Sequence, residues 1–520
     1  MMFNMSLEEV RSLASAAEEP FIPELYIKTK AETTPLKVYT ALSCEYGNRY
    51  LLESVEKEKR HARFSFLGGD PECILTVNGR EISIEGRGEL LEVMRARLDS
   101  ILENGEIKED LDLLDALGLI FPAGRVRYHG RGLHNLFARQ VFTGGLIGYL
   151  AYDIVYDCWL GTKPEYDRMV PDVKLLLQTK NVIFDHREGE IYLVFTPFFD
   201  PEGDVDASYM RACDEAETLL DIIEASSTIP DLEPSLEEGV ENLPAGESSM
   251  TREEYEDAVR IAKRHIIDGD IFQVVLSRLK TVKVSSSPLK IYKALRRINP
   301  SPYMYLFELD GLGIVGASPE TLLTVHRGRV ITNPIAGTCP RGKDEREDKA
   351  LAERMLADEK ERAEHVMLVD LGRNDVRMVS KPGSVRVDDF MSVIRYSHVQ
   401  HIESTVSGEM RDECTVFDAT RAIFPAGTLS GAPKIRAMEI IDELERGPRG
   451  IYGGGIGYFT WNGDCDLAIA IRTIVLRDGV AYIQAGAGIV ADSDPEKEFY
   501  ETERKMGAMM RAIGAVEGGR

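Results

Sequence analysis

The chain of 520 residues sets 62 Lys and Arg against 87 Asp and Glu, a formal net charge of −25. That balance excludes a protein whose main task is to grip a phosphate backbone, which needs a concentrated basic face. An anionic substrate would need a local cation or a metal against the global field. The 43% hydrophobic and 29% charged fractions fit a globular chain long enough for roughly two to five domains.

Seven cysteines (Cys44, Cys73, Cys158, Cys213, Cys339, Cys414 and Cys465) are scattered and form no C-x-x-C pair. They argue against a disulfide scaffold or zinc ribbon and fit a reducing, cytoplasmic setting. The first twenty residues carry Glu8, Glu9, Arg11, Glu18 and Glu19, so no signal-peptide apolar core is expected. The most apolar stretch, 144–160, is broken by Asp153 and Asp157. No segment reaches the roughly 20 apolar residues of a membrane helix.

In chain order, residues 1–224 read as one N-terminal domain. No Lys or Arg falls between Ala212 and Thr251, and 225–250 is rich in Ser, Pro, Gly and Glu. This stretch is expected to be an exposed acidic linker, with a second domain over 251–520. Thr251-Arg-Glu-Glu254 is a capping box that opens a helix to about 268. Residues 270–283 are β-rich. Tyr303 to Leu309 alternates and meets Asp310-Gly311, a hairpin signal. Residues 348–371 read as one helical run, and 396–402 alternates like a strand. Thr415 caps a further helix. Pro433 starts another over 434–446, whose apolar stripe is Ile435, Met438, Ile441 and Leu444. Residues 467–476, the turn Asp478-Gly479 and 480–490 predict one long hairpin. Strands and helices mix without a βα period, which predicts an α+β fold with large antiparallel sheets and helices packed outside.

Two glycine motifs carry no chemistry. Gly311-Leu-Gly313-Ile-Val-Gly316 matches a dinucleotide fingerprint, but a hairpin turn precedes it and no helix follows. Gly453-Gly-Gly455-Ile-Gly457 lacks a Walker Lys and runs into a strand. Other residues are chemically capable. Glu361 and Glu364 share one helix face, as do Glu498 and Glu501. Four carboxylates from two helices could hold a hard cation such as Mg²⁺; a solvated helix face is the plainer reading of either pair. His398 and His401 fall on opposite faces of a strand-like stretch. Arg472 at the end of an apolar run needs an anion, from the protein or from a ligand. Gly486 and Gly488 would let a ligand approach the backbone.

Five longer motifs then fit together: Gly316-Ala-Ser-Pro-Glu320, Asn333-Pro-Ile-Ala-Gly-Thr338, Leu368-Val-Asp-Leu-Gly-Arg-Asn-Asp375, Gly427-Thr-Leu-Ser-Gly-Ala-Pro433 and Asp494-Pro-Glu-Lys-Glu498. Over residues 251–513 the chain resembles the chorismate-utilising enzymes. The water-using members place a Lys base where this chain has Gln273, which cannot deprotonate water. Aminodeoxychorismate synthases place a nucleophilic Lys where it has Ala336. The resemblance therefore points to the anthranilate synthase large subunits, which use ammonia, with aminodeoxychorismate synthase component I as the alternative.

It implies Mg²⁺ on Glu364 and Glu501, with Glu361 and Glu498 directly or through water. It implies a chorismate site from Gly337, Thr338, Thr428, Tyr452, Arg472 and the strand Gly486, Ala487 and Gly488. It further implies Glu320 as general acid, His401 assisting proton removal, and ammonia from a separate glutamine amidotransferase partner. Leu51-Leu-Glu53-Ser54 and Asn299-Pro-Ser-Pro302-Tyr303-Met304 resemble the two halves of that family's L-tryptophan inhibitor site.

Overall fold

A computed structural model describes residues 3–54, 63–121, 127–129, 133, 137, 140–230, 244–396 and 399–518. Among them, two large sheets lie face to face with helices on their outer sides. The eleven-stranded sheet runs Ile335–Pro340, Val399–Glu409, Arg329–Thr332, Thr321–His326, Cys465–Ile469, Gly455–Thr460, Gly145–Leu150, Val173–Gln178, Cys73–Asn78 and Glu81–Gly86, with Arg386–Arg395 also paired to Val399–Glu409. The twelve-stranded sheet includes, side by side, Gln273–Lys283, Val480–Ile489, Thr473–Arg477, Leu312–Ser318, Tyr303–Leu309, Arg49–Glu53 and Phe64–Gly69. Every pair in both is antiparallel, so the predicted α+β class with large antiparallel sheets holds.

Between the sheets, Tyr50, Phe142, Tyr149, Tyr305, Phe307 and Tyr458 form one buried cluster. Each such aromatic, taken fully out of water, contributes about 2–3 kcal/mol. On the outer side of the twelve-stranded sheet, Leu295 and Ile291 of helix Pro288–Ile298 and Met506, Met509 and Ile513 of helix Pro495–Glu517 pack on Leu306, Val315 and Ile483. Helices Leu113–Ile120 and Val416–Ile423 cover the other sheet.

Both sheets mix strands from the two sides of the 225–250 stretch, so the boundary drawn there does not separate sheets. Helix Val205–Ser226 enters that stretch, and 231–243 lies outside the described residues. The capping boxes at Thr251 and Thr415 are present, as is the Asp310-Gly311 turn, with φ of 49° and 83°.

Three local expectations differ. Residues 348–371 form two helices, Glu345–Ala357 and Glu359–Arg377; Asp358 ends one and caps the next by accepting from the N–H groups of Lys360 and Glu361. In helix Lys434–Leu444, Ile435 is 46% exposed. Its neighbour Lys434 turns inward to donate to Asp375 at 2.9 Å and to the Ile423 carbonyl at 2.9 Å, and Ala437 and Ile440 join the expected Met438 and Ile441 in the core. The expected hairpin forms over Thr473–Arg477 and Val480–Ile489 around the Asp478-Gly479 turn, but its first arm is shorter than expected. Cys465–Ile469 belongs to one sheet and Thr473–Arg477 to the other, and the crossover is made at Arg472, with φ of 52°. The apolar alternation is alike on both sides of that kink, so periodicity could not reveal it.

Candidate active site

Period-2 geometry builds the floor of the site. Gln273, Val275 and Ser277 share one face of strand Gln273–Lys283, and Gln484, Gly486 and Gly488 share the same face of the adjacent strand. A Cβ on Gly486 would stand 2.9 Å from the Tyr452 hydroxyl, and one on Gly488 would stand 2.9 Å from Gln273 Nε2. Glycine is therefore what lets Tyr452 and Gln273 lie across the strand. Around this floor is a cavity of about 240 Å³, lined also by Glu320, Gly337, Thr338, Glu364, His401, Thr428, Arg472 and Lys505. Ala336 lines it as well. Ala487 does not. Its side chain points to the opposite face, 1% exposed, into the cluster of Tyr255, Val259 and Ile440, so only its backbone is left for the predicted substrate contact.

Glu320 is buried, and burial pushes its carboxyl up to about 8, with Glu403 adding to the rise and the hydrogen bond from Thr428 opposing it. Thr428 Oγ1 donates to Glu320 Oε1 at 2.9 Å. At neutral pH the group is a protonated acid. His401 is held by the opposite logic. Burial lowers its pKa, and Arg472 lowers it further. Its Nδ1 is 2.9 Å from the Gly337 carbonyl, which can only accept, so Nδ1 carries the proton and Nε2 presents a lone pair. Thr338 Oγ1 lies 3.1 Å from the same nitrogen. One cavity thus holds a neutral acid and a neutral base.

Two cations offset the acidic chain locally. Arg472 is half-buried, and burial lowers its pKa. Lys505 was not singled out from the sequence. Its pKa falls to about 8, through burial first and then Arg472. The third of its side chain that remains exposed opens onto the cavity, and its Nζ donates to the Gly486 carbonyl at 2.8 Å. The spacing Glu498, Glu501, Lys505 on one helical face was the available signal. Gln484 was also missed, although it lies in step with Gly486 and Gly488. Its Nε2 donates to Ser277 at 2.8 Å and its Oε1 has no partner. Gln273 Oε1 is likewise buried and unpartnered.

Glu364 stands near both Glu361, one turn away on its own helix, and Glu498 on helix Pro495–Glu517. Burial and then Glu361 raise the Glu364 pKa, with Glu498 adding to it. Burial and Asp358 raise that of Glu361. A Cβ on Gly337 would sit 3.1 Å from Glu361 Oε2. Glu501 is ion-paired to Arg504 and approaches Lys505 at 3.5 Å. Among the described residues no three His, Cys, Asp or Glu gather closely enough to hold a metal by themselves. Carboxylates such as Glu361 and Glu364, whose pKa values are raised, fit a hard cation that keeps waters and takes further oxygens from its substrate. His398 lies outside the described residues.

The predicted inhibitor residues Glu53, Ser54, Pro302, Tyr303 and Met304 line one separate cavity between the sheets, with Tyr396, Pro319, Glu403 and Asp466. Glu53 accepts from Tyr292 at 2.7 Å and from Arg296 at 3.1 Å. Ser54 Oγ has no partner.

The family model for chorismate binding enzymes matches residues 128–511. The chain belongs to that family. It is 47% identical to "Anthranilate synthase component 1" of Haloferax volcanii, over 98% of this chain and 97% of that one. It is 41% identical to the protein of the same name from Aquifex aeolicus, over 99% of both. The crystal structure of anthranilate synthase component I from Streptococcus pneumoniae superposes with a TM-score of 0.68 at 35% identity, over 88% of this chain and 94% of that one. The menaquinone-specific isochorismate synthase of Escherichia coli shares the fold, with a TM-score of 0.64 at 18% identity over 98% of each chain. Within its family, then, this chain is an anthranilate synthase of the component 1 kind.

Proposed function

We propose that the chain converts chorismate and ammonia to anthranilate, pyruvate and water, that a separate glutaminase component supplies the ammonia, and that L-tryptophan inhibits it. The observation that carries the chemistry is the pairing of a protonated Glu320 with a neutral His401 in one cavity beside Arg472 and Lys505. Chorismate is a dianion. Arg472, Tyr452, Lys505 and the backbone of Gly486 to Gly488 hold its enolpyruvyl carboxylate. Glu361, Glu364 and Glu498, with Glu501, would hold Mg²⁺, which supplies charge neutralisation at the ring carboxylate. Gln273 and Ala336 offer no base and no amine, so ammonia itself is the nucleophile.

Ammonia adds at C2 while the C4–O bond breaks, and Glu320 gives the leaving hydroxyl its proton, so water departs. The new ammonium loses a proton. His401 Nε2 then takes the hydrogen from C2 as the C3–O bond to the enolpyruvyl group breaks. The enolpyruvyl group leaves as its enolate, takes up a proton at its methylene carbon to become pyruvate, and the ring becomes aromatic. Tryptophan takes the cavity of Glu53, Ser54 and Met304, whose acidic lining of Glu53, Glu403 and Asp466 suits its ammonium group. The work is cytoplasmic, in keeping with seven cysteines that include no disulfide among the described residues.

The test is to incubate the purified chain with chorismate, Mg²⁺ and ammonium at alkaline pH, following anthranilate fluorescence and pyruvate. Equal yields of both, suppressed by tryptophan, are expected. Amination without pyruvate would transfer the assignment to aminodeoxychorismate synthase. Glutamine hydrolysis by this chain alone would refute the separate partner.

A further inference from the structure

The catalytic cavity and the cavity between the sheets share a wall. Pro319 lines both, and its carbonyl immediately precedes Glu320. On the other side of that wall stands Tyr396. It lines the intersheet cavity and is not part of the catalytic one. Its hydroxyl donates to the Pro319 carbonyl at 3.3 Å. Its ring meets the His401 ring edge-on, with centroids 5.5 Å apart at 63°, a geometry in which the positive edge of one ring meets the negative face of the other.

The backbone of Tyr396 is anchored. Its N–H donates to the Val399 carbonyl at 2.8 Å. Its carbonyl accepts from Arg341, which is itself clamped on Asp348 through Nε at 2.9 Å and through Nη2. With the main chain fixed, the side chain is the part that can respond to what fills the cavity it faces. An electrostatic link runs in parallel, because Glu403 lines the intersheet cavity and raises the Glu320 pKa.

We propose that Tyr396 is a positioning residue for both Glu320 and His401, and that a ligand in the intersheet cavity changes catalysis by moving it. The first half stands on the two contacts alone. The second rests on the reading of that cavity as the tryptophan site, and the two halves are read out separately. A ligand that enlists the Tyr396 hydroxyl or shifts its ring withdraws support from the Pro319–Glu320 turn and from the face of His401. The acid and base are then displaced without any change at the groups that hold chorismate.

The experiment uses the full chain with ammonium, chorismate and Mg²⁺, in three forms: wild type, Tyr396→Phe and Tyr396→Leu. Far-ultraviolet circular dichroism checks that each is folded. Tyr396→Phe keeps the ring and removes the hydrogen bond to Pro319. Its kcat falls about tenfold at an unchanged KM for chorismate, inside the hundredfold that a small misplacement can cost. Tyr396→Leu removes the ring as well and lowers kcat further, again at unchanged KM. A merely structural residue would move KM and stability along with kcat.

For the second half, tryptophan binding is measured by calorimetry and inhibition is measured at matched occupancy. Tyr396→Phe is expected to bind tryptophan as the wild type does and to be inhibited about fivefold less or weaker still, in the range usual for a coupling between sites. Equal inhibition at equal occupancy overturns the coupling. Wild-type kcat in both variants overturns the positioning role. Absence of tryptophan binding to the wild type overturns the reading of the cavity and the coupling with it, while the kcat values still decide the positioning role.

Discussion

Replacing Glu320 by Gln separates its chemistry from its energetic cost. The side chain is 8% exposed, and the amide carbonyl can still accept from Thr428, so packing and the 2.9 Å hydrogen bond survive. What disappears is a carboxyl whose pKa is raised from 4.5 to about 8. The folded state holds this proton more tightly than the unfolded chain does. Stability is therefore undiminished below pH 4.5 and is lost progressively as pH rises toward 8, at about 1.4 kcal/mol per unit.

At pH 7 the wild type has lost about 3 kcal/mol to this one group, and above pH 8 the loss levels off near 5 kcal/mol. Glutamine has no proton to lose. Between pH 5 and pH 8.5 the variant should gain about 4 kcal/mol relative to the wild type, read as a growing gap between urea midpoints of the substrate-free chains. Its kcat should fall about 10²–10⁴-fold, the usual worth of a general acid. A gap that stays constant across this pH range would mean that Glu320 is not held protonated. An unchanged kcat would mean that its proton is not the one delivered.

Four further outcomes follow. At fixed free ammonia, kcat/KM should decline as pH rises through about 8, because Glu320 loses its proton there; a flat alkaline limb would contradict the assignment. His401→Gln keeps a donor toward Gly337 but presents no base, so kcat should fall about 10²–10⁴-fold with KM for chorismate nearly unchanged. Glu364→Gln should raise the Mg²⁺ concentration needed for half-maximal turnover more than it raises KM for chorismate, and an unchanged Mg²⁺ requirement would remove it from the metal. Glu445→Gln leaves the Arg449 guanidinium, 1% exposed and otherwise paired at 2.6 Å, without its counter-charge; a loss of about 3–5 kcal/mol is expected in urea unfolding.

The sequence displays the parts of this site that short range determines. Gly486 and Gly488 fall in step because a strand has period two, and Glu361 and Glu364 fall together because a helix has period 3.6. The same periodicity, applied to the whole strand, turns the Ala487 side chain away from the cavity and brings Gln484 toward it. Arg472 shows where this reading ends. As the end of an apolar run it demanded an anion, yet nothing local says that the chain kinks there, at φ of 52°, and carries it from one sheet to the other. That kink is what delivers the guanidinium to a cavity built from Gln273, His401 and Lys505, residues between 33 and 199 positions away. The acid–base division is invisible for the same reason. Glu320 and His401 are ordinary residues until the fold buries one carboxyl beside a Thr and turns one imidazole toward a carbonyl. Motif resemblance could name them because a family's motifs record the outcome of that folding, whereas composition and periodicity record only its local causes. The inference about Tyr396 lies beyond both, since its two contacts, to Pro319 and His401, exist only once the sheets have closed over the wall between the cavities.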